Sequence, residues 1–336
     1  MSGASSPMNV LVTGGAGYIG SSVVAELVAG GHILTVVDSL GKGHLAAVAT
    51  GAKFLRGDLG SDETLAKAFA GARYDAVMHF AAYIEAGESM HDPARFFRNN
   101  TANSLRLVEA AVSHGVRTFL FSSTAAVYGD PQYTPIDEAH PTCPSNAYGM
   151  AKLLTDQALD WIARLQGLTC VSLRYFNASG AGPLLGEDHR PETHLIPLLL
   201  EAAMGRRECV SLFGQDYPTP DGTCVRDYIH ILDLAQAHIL ALEAGLTGRH
   251  VFNVGNGRGF SNREVIAAVE RVTGKAIRVL ACPRRNGDPA ILVAGSEKIR
   301  RELGWNPRFP ELDAIIRSAW EWKKAHPDGY PGVSAD

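Results

Sequence analysis

Short apolar runs alternate with amphipathic stretches along the first half of the chain. NVLVT (9–13), ILTVVD (33–38), KFLRGDL (53–59), DAVMHFAA (75–82), residues 117–121 and CVSLRYFNASGAG (170–182) each read as a strand. DAVMHFAA is apolar almost throughout, the pattern of a strand buried on both faces. Its His79 reads as a packed, hydrogen-bonded histidine rather than a catalyst. Helical patterns fill the gaps. SSVVAELVAG follows a glycine turn, and FFRNNTANSLRLVEAAV lies within a helix over 93–113. Asn99 and Asn100 are poor helix formers there, which leaves them a polar job or a cap. SNAYGMAKLLTDQALDWIARLQG places Ala151, Leu154, Ala158, Leu159, Ile162 and Leu165 on one helix face, with Ser145 as its expected N-cap. Strand–helix alternation predicts an α/β fold with a doubly wound parallel sheet. The expected boundaries are 9–176 for that unit and 177–331 for a smaller mixed α/β lobe. The chain should return once to the sheet over about 228–257, through HILDLAQAHILALEA and VFNVG.

The first strand runs directly into GGAGYIG (14–20) and then a helix, the context in which a glycine pattern predicts dinucleotide binding. Gly14 permits the tight turn, Gly17 lets backbone N–H groups approach a pyrophosphate, and Gly20 allows close helix packing. Asp38 ends the second strand, where a carboxylate can bind the adenosine ribose hydroxyls. It would repel a 2′-phosphate, and no Arg lies within three residues, so NAD is expected over NADP. Asp58, before Leu59, reads equally as a turn residue or an adenine contact.

The candidate chemistry sits between Thr118 and Leu154. An apolar strand stops at Ser122, Ser123 and Thr124, a Gly/Pro-punctuated loop follows, and Tyr148 and Lys152 stand four apart at the start of the next helix. A phenol is a poor base near neutral pH, but a neighbouring ammonium favours the phenolate. With Thr124 sharing the proton, the trio can move a proton on and off an alcohol or carbonyl. Taken alone, Tyr148 and Lys152 read as an ordinary exposed helix pair, and it is the surrounding motifs that turn the reading towards chemistry.

Composition narrows the setting. The 336 residues are 46% hydrophobic and 20% charged, ample for about two domains or one large α/β unit. A net charge of −4 gives no footprint for nucleic acid or an anionic membrane. No apolar run reaches the length of a membrane span, and MSGASSPM lacks the apolar core of a signal peptide. The five scattered cysteines contain no C-x-x-C, so neither a disulfide framework nor a metal site is expected, and a cytoplasmic setting fits.

GGAGYIG, Asp38, SSTAAVYG, YGMAK and RYFNASGAG together resemble the extended short-chain dehydrogenase/reductase family, a Rossmann-type fold. Within it, LFGQDYPTPDGTCVRDYIHILDLAQAH (212–238) and PRRNGDPAILVA (283–294) resemble the nucleotide-sugar 4-epimerases, from about Asn9 to Pro331. The resemblance implies an NAD-dependent isomerase that inverts C4 of a UDP-hexose through a 4-keto intermediate. UDP-N-acetylhexosamines, UDP-pentoses or UDP-uronates are alternative substrates, and a non-catalytic NAD-binding regulator is a rival of another class. It implies cofactor contacts at Gly14, Gly17, Tyr18, Ile19, Asp38, Asp58, Leu59, Phe80, Asn99, Ser122, Lys152 and Tyr175. It implies catalysis by Thr124, Tyr148 and Lys152. It implies substrate contacts at Thr124, Tyr148, Asn177, His194, Leu195, Ser211, Phe213, Arg226, Arg285, Asp288 and Leu292. A diphosphate suits the planar fork of arginine, in keeping with Arg226 and Arg285. Related 4,6-dehydratases carry an acid just after the threonine, where this chain has Ala125 and Ala126. Other departures are Thr124 for Ser, Ile84 for a lysine near the phosphates, and His194 for Asn, whose role stays open. Leu292 has a bulk between those of strict and tolerant relatives. A homodimer through about 93–114 and 145–167 is also implied.

Overall fold

The computed structural model describes residues 6–285 and 287–331. Seven parallel strands form the central sheet: β1 (Asn9–Thr13), β2 (Ile33–Asp38), β3 (Lys53–Arg56), β4 (Ala76–His79), β5 (Thr118–Thr124), β6 (Thr169–Tyr175) and, later in the chain, β10 (Arg249–Val254). Their spatial order is β10-β6-β5-β4-β1-β2-β3. The chain therefore starts in the middle, builds to one side, and crosses back over β1 to build the other. The crevice at the carboxyl ends of β1 and β4 is where the strand order reverses, which is where α/β sheets bind ligands.

Both faces of the sheet are buried, as the apolar strands require. Val10 and Val12 pack against the Tyr18–Ala29 and Ile231–Glu243 helices. Leu11, between them, packs into the opposite layer with Leu107, Val108 and Leu159 of the Asn103–Ser113 and Ala147–Gln166 helices. The period-two side-chain alternation of a strand thus supplies both cores from one run. The segment read as one strand over 170–182 divides at Phe176: β6 stays in the main sheet, while β7 (Asn177–Ser179) pairs with β9 (Val225–His230). That change of sheet carries the chain into the smaller lobe. There β9 also pairs with β11 (Gly259–Ser261) and β13 (Ile291–Leu292), and β8 (Val210–Phe213) pairs with β12 (Val279–Cys282). A third core of Leu199, Val265, Ile315 and Ile316 holds this lobe together.

Three sequence expectations change in detail. The 93–113 helix is interrupted by a π-helical turn at Phe97–Ala102. Strand β3 ends at Arg56, which leaves Asp58 in the following turn. The N-cap of the Ala147–Gln166 helix is Asn146, whose side chain accepts the Gly149 N–H at 2.8 Å; the Ser145 hydroxyl instead donates to the Gly287 carbonyl.

His79 is a packed core residue, within 2.7 Å of both the Thr13 and Ser104 hydroxyls. Burial lowers its pKa to about 3, and lowers those of His230 and His238 to about 4. An unfolded imidazole titrates near 6.5. Below that pH the unfolded chain takes up protons that the folded chain refuses, so stability is complete above about 6.5 and falls as the pH drops towards 4. Each such histidine contributes a slope of about 1.4 kcal/mol per pH unit. Urea titrations of wild type between pH 7 and pH 4.5 are expected to lose stability steeply, and His79→Gln to lose less per unit; equal slopes would exclude this account of His79.

Candidate active site

The cofactor side of the crevice is built by the turn after β1. Gly14 has φ +75°, and a Cβ there would lie 2.4 Å from the Ala81 backbone nitrogen; one on Gly20 would lie 2.2 Å from the Gly14 carbonyl. Only glycine lets the Tyr18–Ala29 helix sit this close to the strand ends. Gly17 is the N-cap of that helix, with no side chain capping it and no acid in its first turn. A Cβ on Gly17 would meet nothing nearer than Gly14 O at 3.4 Å. The helix therefore offers unshared N–H groups and the positive end of its dipole to an anion, which fits a pyrophosphate. Asp38, at the end of β2, accepts N–H groups from Ala16 (3.0 Å) and Leu40 (2.8 Å). Burial raises its pKa while those bonds and His44 oppose the rise.

The other proposed cofactor residues divide. The Tyr18 hydroxyl donates to Gly180 O at 2.6 Å, tying the glycine turn to the smaller lobe. Ile19 packs against the core, and Phe80 packs on the His238 ring with centroids 4.9 Å apart. Asn99 donates to the Asn100 side chain, which in turn brackets the Tyr83 backbone N–H and carbonyl at 2.9 and 2.8 Å. These asparagines therefore have a polar job, holding the loop after β4 against the π-helical turn. Leu59 is buried in the core, whereas Asp58 is exposed and accepts the Gly60 N–H within its own turn. Among the described residues, no side-chain hydrogen bond or ion pair joins Asp58 to the other proposed residues.

The catalytic candidates meet where β5 ends. Thr124 Oγ1 caps the short turn that follows by accepting the Ala126 N–H at 3.1 Å. Gly149 packs on that turn so closely that a Cβ would lie 2.5 Å from the Ala126 carbonyl. This close approach delivers the neighbouring Tyr148 to Thr124, whose hydroxyl acts to lower the Tyr148 pKa. One turn further on, buried Lys152 donates to the Ser122 carbonyl at 2.8 Å and lies 4.8 Å from the centre of the Phe121 ring. The Ser122 hydroxyl bonds the Tyr175 hydroxyl. Burial dominates the titration of both key groups. It pushes Tyr148 up to about 12, with the Thr124 bond pulling down and Glu85 pushing up; it brings Lys152 down to about 7, with Asp156 opposing. The expected lowering of the Tyr148 pKa by Lys152 is not realised, because the same desolvation that disfavours the phenolate also disfavours the ammonium.

On the substrate side, Asn177 opens β7, opposite Tyr228 and two residues from Arg226 along β9. Arg226 is buried, ion-paired with Asp288, and stands opposite Leu292 in the strand register. The exposed Arg285 guanidinium lies 4.0 Å over the Phe213 ring, and Ser211 is exposed two residues earlier on β8. Leu195 starts the Leu195–Ala203 helix, and His194 before it is held by Glu187 and Glu192. Sequence reading missed three supporting residues, Ser89, Glu85 and Asp156. Ser89 receives the Tyr148 N–H at 3.1 Å, and Glu85 is paired with Lys42 at 2.7 Å. Asp156 joins Arg174 (3.0 Å) and Arg249 (3.1 Å) behind the helix. Only Asp156 left a signal, an acid four residues beyond Lys152.

A family model described as the NAD dependent epimerase/dehydratase family matches residues 10–255. The chain belongs to this family. It is similar to the UDP-glucose 4-epimerase of Streptomyces lividans, with 49% identity over 95% of this chain and 97% of the relative. That of Halalkalibacterium halodurans is 47% identical, over 98% and 99%. The fold superposes on a UDP-glucose 4-epimerase from Bifidobacterium longum, solved with NAD+ and UDP, with a TM-score of 0.92, 37% identity, and coverage of 96% of this chain and 100% of that one. As a family member the protein is an NAD-dependent enzyme, and the glycine turn, the uncapped helix and Asp38 fit that cofactor. If the Gly149–Ala126 approach sets the position of Tyr148, Gly149→Ala should reduce kcat by about 10²-fold, the scale of an ångström-sized misplacement, with little change in NAD affinity. Unchanged kcat in steady-state kinetics would separate the contact from catalysis.

Proposed function

We propose that the protein interconverts UDP-galactose and UDP-glucose by inverting C4, with Tyr148 and Thr124 handling the proton. The observation that carries this reading is the convergence of Thr124, Tyr148 and Lys152 at the carboxyl end of β5, set by the Gly149–Ala126 approach and the Lys152–Ser122 O bond. When bound, held by the glycine turn, the uncapped helix and Asp38, NAD would supply a hydride acceptor for C4. Tyr148 takes the proton of the sugar's 4-hydroxyl, directly or through Thr124, and returns it when the C4–H bond re-forms on the other face. The Thr124 bond favours the phenolate against the burial that opposes it. Lys152, fixed by Ser122 O, would help to hold the bound cofactor. Arg226 and Arg285 hold the UDP diphosphate, so that the hexose can turn while its anchor stays in place.

Elimination chemistry is disfavoured. Ala125 and Ala126 provide no acid, and the Glu85 carboxylate that influences Tyr148 is engaged by Lys42. We also infer a homodimer. Met150, Leu154, Trp161 and Leu165 form an exposed stripe on the Ala147–Gln166 helix, with Leu165 76% and Trp161 62% accessible. Such a stripe on a monomer invites a partner. No helix among the described residues is long and apolar enough to cross a membrane, and the five cysteines are all free, which supports a reducing, cytoplasmic setting.

Purified protein mixed with UDP-galactose, without added NAD, is expected to form UDP-glucose by NMR. Tyr148→Phe should lower kcat by about 10²–10⁴-fold, the range of general acid–base catalysis, while NAD still raises the Tm. No conversion even with NAD supplied would sink the UDP-hexose assignment. Size-exclusion chromatography checks the stripe: Trp161→Glu should shift the protein from dimer to monomer, and an unchanged elution volume would place the interface elsewhere.

A further inference from the structure

The segment GEDHRPETH (186–194) brings two imidazoles and two carboxylates to one point. One donor atom each from Glu187, His189, Glu192 and His194 lies within 4.8 Å of all the others. His194 Nδ1 is 2.8 Å from Glu187 and 2.9 Å from Glu192; His189 Nδ1 is 3.1 Å from Glu187 and 3.9 Å from Glu192. We propose that these four side chains bind one divalent transition-metal ion, with zinc the best match.

The geometry and the donor set agree. Zinc takes His nitrogen and carboxylate oxygen at about 2.0–2.2 Å in a tetrahedron, which spaces the ligands roughly 3.3 Å apart. The observed separations bracket that value, so rotamer adjustments within the loop suffice. Two nitrogens with two oxygens suit zinc better than calcium or magnesium, which favour all-oxygen shells. Charge agrees as well. The Glu187 and Glu192 side chains are only 9% and 6% accessible, and two buried carboxylates need compensating positive charge. Here the imidazoles of His194 and His189 pair with them; one dication would supply that charge with both imidazoles neutral. Four protein ligands close the coordination sphere, which makes the site structural rather than catalytic.

Its surroundings indicate what it would hold. The Tyr18 ring of the glycine turn stands edge-on to His189, with centroids 6.2 Å apart. Asp188, between two ligands, accepts the Tyr330 N–H at 3.0 Å, and its carbonyl meets His44 at 2.7 Å. His194 leads directly into the Leu195–Ala203 helix of the smaller lobe. The ion pins this loop between the cofactor turn and the second lobe, and the proposal stands apart from the choice of sugar substrate.

The test uses full-length protein dialysed against a chelator and titrated with Co2+, read by visible absorption, with Zn2+ as competitor. Wild type should take up one equivalent per chain, give the intense band of four-coordinate cobalt, lose it to one equivalent of zinc, and gain Tm. His189→Ala and, separately, Glu192→Gln should weaken cobalt binding by more than about 100-fold, beyond the loss typical of outer-shell changes. Wild type that binds neither metal at excess overturns the proposal and leaves a proton-linked ion network. A band that persists unchanged in both variants, or a six-coordinate spectrum, also overturns it. Because the wild-type titration decides by itself, a variant that fails to fold does not rescue the idea.

Discussion

The contact on which the rest depends is that between Gly149 and the Ala126 carbonyl. It sets the start of the Ala147–Gln166 helix against the end of β5, and only a residue without a side chain allows so short a distance. Tyr148, Lys152 and Thr124 take their positions from it. The helix is held from behind by Asp156, whose two oxygens receive Arg174 from β6, Arg249 from β10 and the Ser123 hydroxyl from β5. A buried carboxylate with three donors on three adjacent strands fixes the helix in rotation as well as in distance. Removing one member would leave unpaired charge in the interior.

The same economy joins the two lobes. Leaving the main sheet at Phe176 lets β7 form the first strand of the second lobe, so the two are continuous in backbone as well as in packing. Tyr18 then reaches from the glycine turn to Gly180, just beyond β7. The crevice at the reversal of strand order thus has a wall of helix N–H groups, which suits a pyrophosphate. Glu85 and Lys42 close an ion pair between the loops that follow β4 and β2.

Much of this was legible residue by residue. The runs at 9–13 and 33–38 read directly as β1 and β2, and GGAGYIG as a tight turn opening a helix, because glycine and period-two patterns act locally. His79 read as a core residue from its apolar neighbours, and it is one. The 170–182 run misled because β-propensity cannot register a change of sheet. Ser145 and Asn146 are both good caps, and the choice fell to Asn146 once Gly287, far away in sequence, took the Ser145 hydroxyl.

The sequence by itself determined the sheet, the glycine turn, the spacing of Tyr148 and Lys152, and the family. All of these depend on neighbours a few residues apart. Only the tertiary structure decided the electrostatics. That Lys152 falls to about 7 and Tyr148 rises to about 12 follows from burial, which no local pattern reports. That Glu187, His189, Glu192 and His194 converge is likewise a product of how one loop is folded between two lobes. Spacing along the chain states which groups can meet, whereas solvent exclusion and long-range packing decide which do and in what charge state.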